Sequence, residues 1–382
     1  MEQYINAAVD HFRTLLTQQL ARAQALEQAP QGLDYDKADP LVIGACPGDG
    51  IGPIIFRESL RVLRQLLAPE LEAGRVVIRE IEGLTIEHRL ACRQAIPDDV
   101  LAALKDCHVI LKGPTTTPQK GSGVANLESA NVAMRRELDL FANLRPIQVP
   151  ELGIDWAFFR ENTEGEYALG SCGIELPETL AMDFKVTTVA GTRRIARAAF
   201  EYAKQNGKTR VAIVTKANVL KKTDGLFSDI CHQVAAEYPG ITAEEWYVDI
   251  MSANLINEAI RSQFQVFVLP NLYGDIITDE AAQIQGGVGT AGSANIGGRY
   301  AMFEAIHGSA PRMMQEGTAE CANPASILKA IEMLLRHVGR GDLADRLAGA
   351  MAQVDREGAR VITGDWSGCT CRDYTDYLLT KL

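Results

Sequence analysis

Short apolar runs of strand length alternate along this chain with longer stretches of helical periodicity. That alternation limits the possible folds more than any other feature. "LVIGA" is followed by "GDGIGP" and a helical pattern over 53–67, and "RVVIREI" has the pattern of a strand. "IPDDVLAALKD" is a short helix leading into the strand "CHVILKGP". "GTRRIARAAFEYAKQNG" is a helix that stops at Gly207, and "KTRVAIVTK" is a strand followed by a helical stretch at 224–238. "FQVFVLP" is a strand and "PASILKAIEMLLRHVG" a helix. Strands separated by helices predict an α/β class with a largely parallel sheet. The segment 165–188 breaks the rhythm with the turn signals "SCG" and "LPET", and reads as an arm.

A chain of 382 residues, 47% hydrophobic and 23% charged, is long enough for two domains or one large α/β unit. Its net charge of −11 argues against bulk attraction to nucleic acid or anionic membrane. An anionic substrate stays open, because clustered arginines outweigh a distant negative field. No run of 18 apolar residues is present, so no membrane span is expected. The eight cysteines include no C-x-x-C pair, and Cys369 with Cys371 cannot build a zinc site alone. They read as free thiols of an intracellular, cytoplasmic protein. Near the N-terminus, Ile5, Val9, Phe12, Leu15, Leu16 and Leu20 form an apolar stripe at helical spacing. Glu2 and Asp10 argue against a transit peptide. The helix is expected to pack on its own body or on a neighbouring subunit.

Several motifs carry chemistry. "GGVGTAG" (286–292) satisfies G-x-G-x-x-G, but helix-like "DEAAQIQ" precedes it where a dinucleotide fingerprint needs a strand. "GDGIGP" reads as a tight strand-to-helix turn with Pro53 in the first helical turn. In "SANVAMRRELDLFANLRP", Ser129 can cap a helix on which Asn131 and Arg135 share a face. Arg145 follows among apolar neighbours, and Arg160 follows the apolar run "WAFF". Three guanidinium forks near apolar segments suit a substrate with several carboxylates; structural salt bridges are the competing reading. Lys216 lies at the end of the strand "RVAIV", where burial can tune a lysine for proton transfer; an exposed loop lysine is the alternative. Asp275 and Asp279 share one face at the expected start of a helix, with Asp249 a third candidate. Such carboxylates suit a hard divalent cation such as Mg²⁺, although helix-dipole pairing also explains Asp275.

Taken in order, "GDGIGP", "KGPTTTP", "ELDLFANLRP", "FRENTEGEY", "TKANVLKKTDGLF", "PNLYGDIITDEAA", "GSANIGG" and "FEAIHGSAP" resemble the β-decarboxylating dehydrogenase family of isocitrate and 3-isopropylmalate dehydrogenases. The resemblance covers roughly 42–325, and "TGDWSGCTCRDYTD" looks like that family's C-terminal segment. It implies an α/β fold distinct from the standard Rossmann fold, with large and small α/β domains. The expected division is an N-terminal extension at 1–40, a large cofactor-side domain at 41–140 and 286–382, and a small domain at 141–285 carrying a dimer clasp at 165–188.

The resemblance also implies roles. Arg135, Arg145 and Arg160 would bind the malate carboxylates. Tyr167 and Lys216 would do the proton work, with Lys216 given by the second subunit of a homodimer. Asp275 and Asp279 would bind Mg²⁺ or Mn²⁺, with Asp249 contributed across the dimer. Lys112, Thr116, Thr117, Glu304, His307, Gly308, Arg312 and Asn323 would line the coenzyme. Ser129 and Asn131 stand four residues or more before Arg135 in the pattern of isocitrate enzymes, where isopropylmalate enzymes carry leucines. Isocitrate, a tricarboxylate, is therefore the favoured substrate, with homoisocitrate, 3-isopropylmalate and a non-catalytic regulatory subunit as alternatives. Arg312 stands where NAD enzymes of the family carry an aspartate, and the tail lacks the Tyr and Arg pair of bacterial NADP enzymes. NAD is slightly favoured and NADP stays open. The N-terminal helix is additional to the family core and could support a higher oligomer.

Overall fold

The computed structural model describes residues 2–28, 32–118, 127–170 and 172–382. They form two compact units: Gly32–Leu140 with Ala282–Leu382, and Met1–Gln31 with Phe141–Ala281.

The first unit begins with three strands: β1 (Leu41–Cys46), β2 (Val76–Glu80) and β3 (Val109–Lys112). β1 pairs in parallel with both others, and every residue of β1 and β3 is buried. Strands with no solvent face need cover on both sides. The helices Gly52–Leu66 and Ala325–His337 present apolar faces to this core. "GDGIGP" forms the expected turn between β1 and the first of them, with Pro53 in the first helical turn. Gly48 there has φ +77°, and a Cβ would lie 2.1 Å from the Pro114 carbonyl oxygen, so only glycine fits.

The second unit contains β4 (Ala142–Val149), β5 (Ile154–Glu161), β6 (Ile174–Leu176), β7 (Leu180–Met182), β8 (Arg210–Thr215), β9 (Thr242–Tyr247) and β10 (Val266–Leu269). Its sheet order is β4-β5-β10-β8-β9, antiparallel at β4/β5 and parallel elsewhere. Phe158 and Phe267 stack at 4.2 Å in its core, edge-on to Trp156. The segment read as an arm carries the β6–β7 hairpin. The N-terminal helix, Glu2–Leu26, belongs to this unit. Most of its apolar stripe is exposed. Leu15 is buried, but Ile5, Val9, Phe12, Leu16 and Leu20 are all 45% or more exposed.

The chain returns to the first unit for β11 (Gly292–Ile296) and β12 (Ala301–Ala305), an antiparallel pair joined to β3 through a parallel β12/β3 ladder. The glycine-rich 286–292 stretch lies between a helix and β11, with no strand before it, so the dinucleotide fingerprint lacks its βαβ setting.

One buried group gives a stability test. His337 accepts or donates a 2.9 Å hydrogen bond with Tyr35 Oη and packs against the Tyr35 and Phe303 rings. Burial lowers its pKa to about 4. The folded protein therefore resists its protonation. Its contribution is fully present above the ordinary value of 6.5 and is lost as pH falls through about 4. His337→Gln should cut the acid-side fall in unfolding free energy by about 2 kcal/mol, after discounting for partial solvent screening. Denaturant titrations on each side of that window check this, and an unchanged fall would contradict it.

Candidate active site

Parallel strands deliver their functional residues at their carboxyl ends. Arg160 lies near the end of β5, in register with Leu269 at the end of β10. The helix Asn271–Ile284 follows β10 and carries Asp275 and Asp279. Lys216 follows the last residue of β8.

Arg160 is 1% exposed. Its Nε and Nη2 donate to Asn271 Oδ1 at 2.9 and 2.7 Å, and its Nη1 donates to Asp275. Tyr167 Oη donates to the other Asp275 oxygen at 2.8 Å. Arg145, also buried, donates to Asp279 at 2.9 Å and to Thr278 Oγ1 at 2.6 Å, with Asp275 at 3.9 Å. Gly274 allows this convergence, because a Cβ there would lie 2.5 Å from the Arg160 side chain. Two arginines, a phenol and two carboxylates thus meet within one unit. Asp275 and Asp279 lie beyond the first turn of their helix, which holds no acidic residue. Helix-dipole pairing is therefore a weak account of either, since that effect fades within the first turn.

Lys216 Nζ forms a 2.6 Å ion pair with Asp249, and this hydrogen bond holds the Asp249 carboxyl below its usual range. Asp224, fully buried, accepts from the Lys216 backbone N–H at 2.7 Å and from Lys185 Nζ at 2.6 Å, fixing the loop. Among the described residues no three His, Cys, Asp or Glu side chains are grouped to hold a metal. Within its own chain Asp249 pairs with Lys216. Asp275 and Asp279 alone are a two-carboxylate oxygen donor set, which fits a hard divalent cation whose other ligands are water and substrate oxygens.

The remaining candidates lie in the first unit. The helix Ala130–Glu137 starts after Ser129, but the Ser129 side chain makes no capping hydrogen bond, contrary to expectation. Asn131 Oδ1 accepts from Thr115 Oγ1 at 3.2 Å. Arg135, 8% exposed, approaches Glu304 at 3.5 Å, and its buried Nε has no hydrogen-bond partner among the described residues. Lys112 is buried and contacts Glu304 at 3.1 Å. Burial pushes the Glu304 carboxyl up, but Lys112 and Arg135 outweigh it and the net shift is downward. Thr116 Oγ1 meets Ser309 Oγ at 2.7 Å, and the Thr116 N–H donates to Asp49 at 2.7 Å. Thr117 lies beside it in the same loop. His307, held below its usual pKa by burial, contacts the Gly308 carbonyl at 2.9 Å. Asn323 Oδ1 accepts from the Ala325 N–H, and Arg312 extends into solvent beside Glu316 at 2.7 Å. Sequence reasoning missed Asn271, Asp224 and Asp49, whose side chains orient the others. All three lie inside motifs noted for other residues.

The fold is that of a class of dehydrogenases. The family model described as isocitrate/isopropylmalate dehydrogenase matches residues 42–378, and the chain belongs to that family. It is 38% identical over 320 residues to isocitrate dehydrogenase [NADP] of Rickettsia prowazekii, covering 81% of this chain and 62% of that enzyme's length. It is 36% identical over 354 residues to a probable isocitrate dehydrogenase [NAD] subunit alpha, mitochondrial, of Caenorhabditis elegans, covering 90% and 93%. The crystal structure of isocitrate dehydrogenase from Methylococcus capsulatus superposes with a TM-score of 0.78 at 33% identity, covering 89% of this chain and 98% of that one.

Proposed function

We propose that this protein converts isocitrate to 2-oxoglutarate and CO₂ with a nicotinamide coenzyme and Mg²⁺ or Mn²⁺. The observation that carries the reading is the cluster of Arg145, Arg160, Tyr167, Asp275 and Asp279 in a chain of this family. The arginines, with Arg135, bind the substrate carboxylates. Ser129 and Asn131 favour the third carboxylate of isocitrate over an alkyl group. Asp275 and Asp279 would hold the divalent cation, which would supply Lewis acidity when bound. Lys216, once its own proton has passed to the paired Asp249, would take the 2-hydroxyl proton, and a bound nicotinamide coenzyme would accept the hydride from C2. The β-keto acid then loses CO₂, and Tyr167 delivers a proton to C3 of the resulting enolate. Lys216 and Asp249 serve the second site of a homodimer, and the protein works in the cytoplasm. No helix among the described residues is long and apolar enough to cross a membrane.

The test is kcat/KM for isocitrate, homoisocitrate and 3-isopropylmalate with each coenzyme. Isocitrate should lead, and a lead for 3-isopropylmalate would overturn the substrate assignment. For the coenzyme, the exposed Arg312 is one cation already paired with Glu316, which supports a relaxed preference with NAD somewhat favoured. A phosphate site usually needs more than one donor. Arg312→Asp should reduce NADP use and change NAD use little. A wild-type preference for NADP above about 100-fold, roughly 2.7 kcal/mol, would contradict this.

A further inference from the structure

The family match begins at residue 42, so the N-terminal helix lies outside it. Yet Arg22 of that helix reaches the turn that precedes Tyr167. Its Nη1 donates to Glu164 Oε1 at 3.2 Å, and its Nη2 donates to the Thr163 carbonyl oxygen and Oγ1, each at 3.3 Å. Glu164 is 3% exposed and Glu161 is 2% exposed. Glu161 accepts from the Thr163 N–H at 2.9 Å, from Thr163 Oγ1 at 2.7 Å and from the Glu164 N–H at 2.6 Å. Glu164 also accepts from Thr188 N–H and Oγ1, at 2.9 and 2.6 Å. Two carboxylates are therefore buried side by side. Burial, and then Glu164, push Glu161 up to about 7. A buried acidic pair of this kind is costly without a cation. Arg22 supplies one to Glu164, and Arg194 adds a 3.2 Å contact to Thr163 Oγ1.

The turn leads directly to the reacting groups. The Glu164 carbonyl accepts from Asn271 Nδ2 at 3.1 Å, and Asn271 Oδ1 receives two Arg160 hydrogen bonds. Tyr167 follows three residues later and donates to Asp275. The helix is tied to the same unit at two further points: His11 Nε2 contacts the Cys172 carbonyl at 2.8 Å, and the Phe12 and Phe184 rings lie 5.4 Å apart.

We propose that Arg22 is a positioning residue: through it the N-terminal helix clamps the 161–164 turn and thereby fixes Tyr167 and Arg160 for the reaction. This rests on the dehydrogenase reading above. Small displacements of such groups are expensive in rate.

The experiment compares full-length wild type, Arg22→Gln, Arg22→Lys and a surface control on the same helix, Arg13→Ala, well below their unfolding midpoints. Two readouts are taken: steady-state kinetics with isocitrate, and hydrogen exchange of the Thr163 and Glu164 amides. Arg22→Gln should lower kcat about tenfold while KM for isocitrate changes less, and Arg22→Lys should recover most of the loss. Exchange at the two amides should rise about tenfold in Arg22→Gln and stay unchanged in Arg13→Ala. A kcat for Arg22→Gln within about twofold of wild type would overturn the proposal. Equal losses in Arg22→Gln and Arg22→Lys with unchanged amide exchange would do so too. If the wild type does not oxidise isocitrate, the functional reading fails, while the exchange arm still decides whether Arg22 holds the turn.

Discussion

Lys216→Ala is expected to lower kcat about a thousandfold, within the range for loss of a general acid–base group. The side chain follows β8 and is about a quarter exposed, with its nitrogen paired to Asp249 at 2.6 Å. Its backbone is held independently of that nitrogen, by the buried Asp224 carboxylate on the Lys216 N–H. Removing the side chain therefore takes away the amine proposed for the proton transfer and leaves the loop where it is. Arginine should not rescue the loss, because a guanidinium does not release its proton at working pH. Steady-state assays of Lys216→Ala and Lys216→Arg, with unfolding midpoints measured alongside, separate lost chemistry from lost structure. Activity within about tenfold of wild type in Lys216→Ala would remove Lys216 from the proton path.

Asp275→Asn should act on two properties at once. Asp275 offers an oxygen to Tyr167, faces the buried Arg160 and is one of the two carboxylates assigned to the cation. The variant should need about a hundredfold more Mg²⁺ for half-maximal activity, and its direct Mn²⁺ affinity should fall by a similar factor. It should also lose about 1–2 kcal/mol of stability, because Arg160 is left facing a neutral amide. Asp279 is more exposed, with its side chain at 59%, and contacts Arg145 on one side. Asp279→Asn should therefore show a metal defect with little loss of stability. Mn²⁺ titration by magnetic resonance together with denaturant unfolding checks both. Wild-type Mn²⁺ affinity in both variants would show that the pair does not hold the cation.

Much of the fold was legible because a strand with no solvent face leaves a continuous apolar run. β1, β3, β8 and β10 are of that kind. β9 escaped notice because "TAEEWY" is a half-exposed edge strand whose composition resembles a loop. β11 was hidden by glycine and asparagine and β12 by alanine and glutamate, residue types whose low strand propensity is overridden by tertiary packing. Within the site, the residue types around Arg145, Arg160, Asp275 and Asp279 pointed to carboxylates and a cation, and the α/β rhythm placed them near strand ends. The distances between them were not legible, nor was the need for Gly274 beside Arg160. Arg22 carried no signal at all, because its partner Glu164 is 142 residues away along the chain. An apolar stripe on the same helix drew attention instead, and most of it lies exposed.

The most direct measurement follows the products of isocitrate turnover by the purified full-length chain with Mg²⁺ and each coenzyme in turn. Reduced coenzyme, CO₂ and 2-oxoglutarate should appear in equal amounts, and turnover should stop on chelation of the cation and resume when it is restored. Coenzyme reduction without CO₂ release, or no turnover of isocitrate with either coenzyme, would contradict the account.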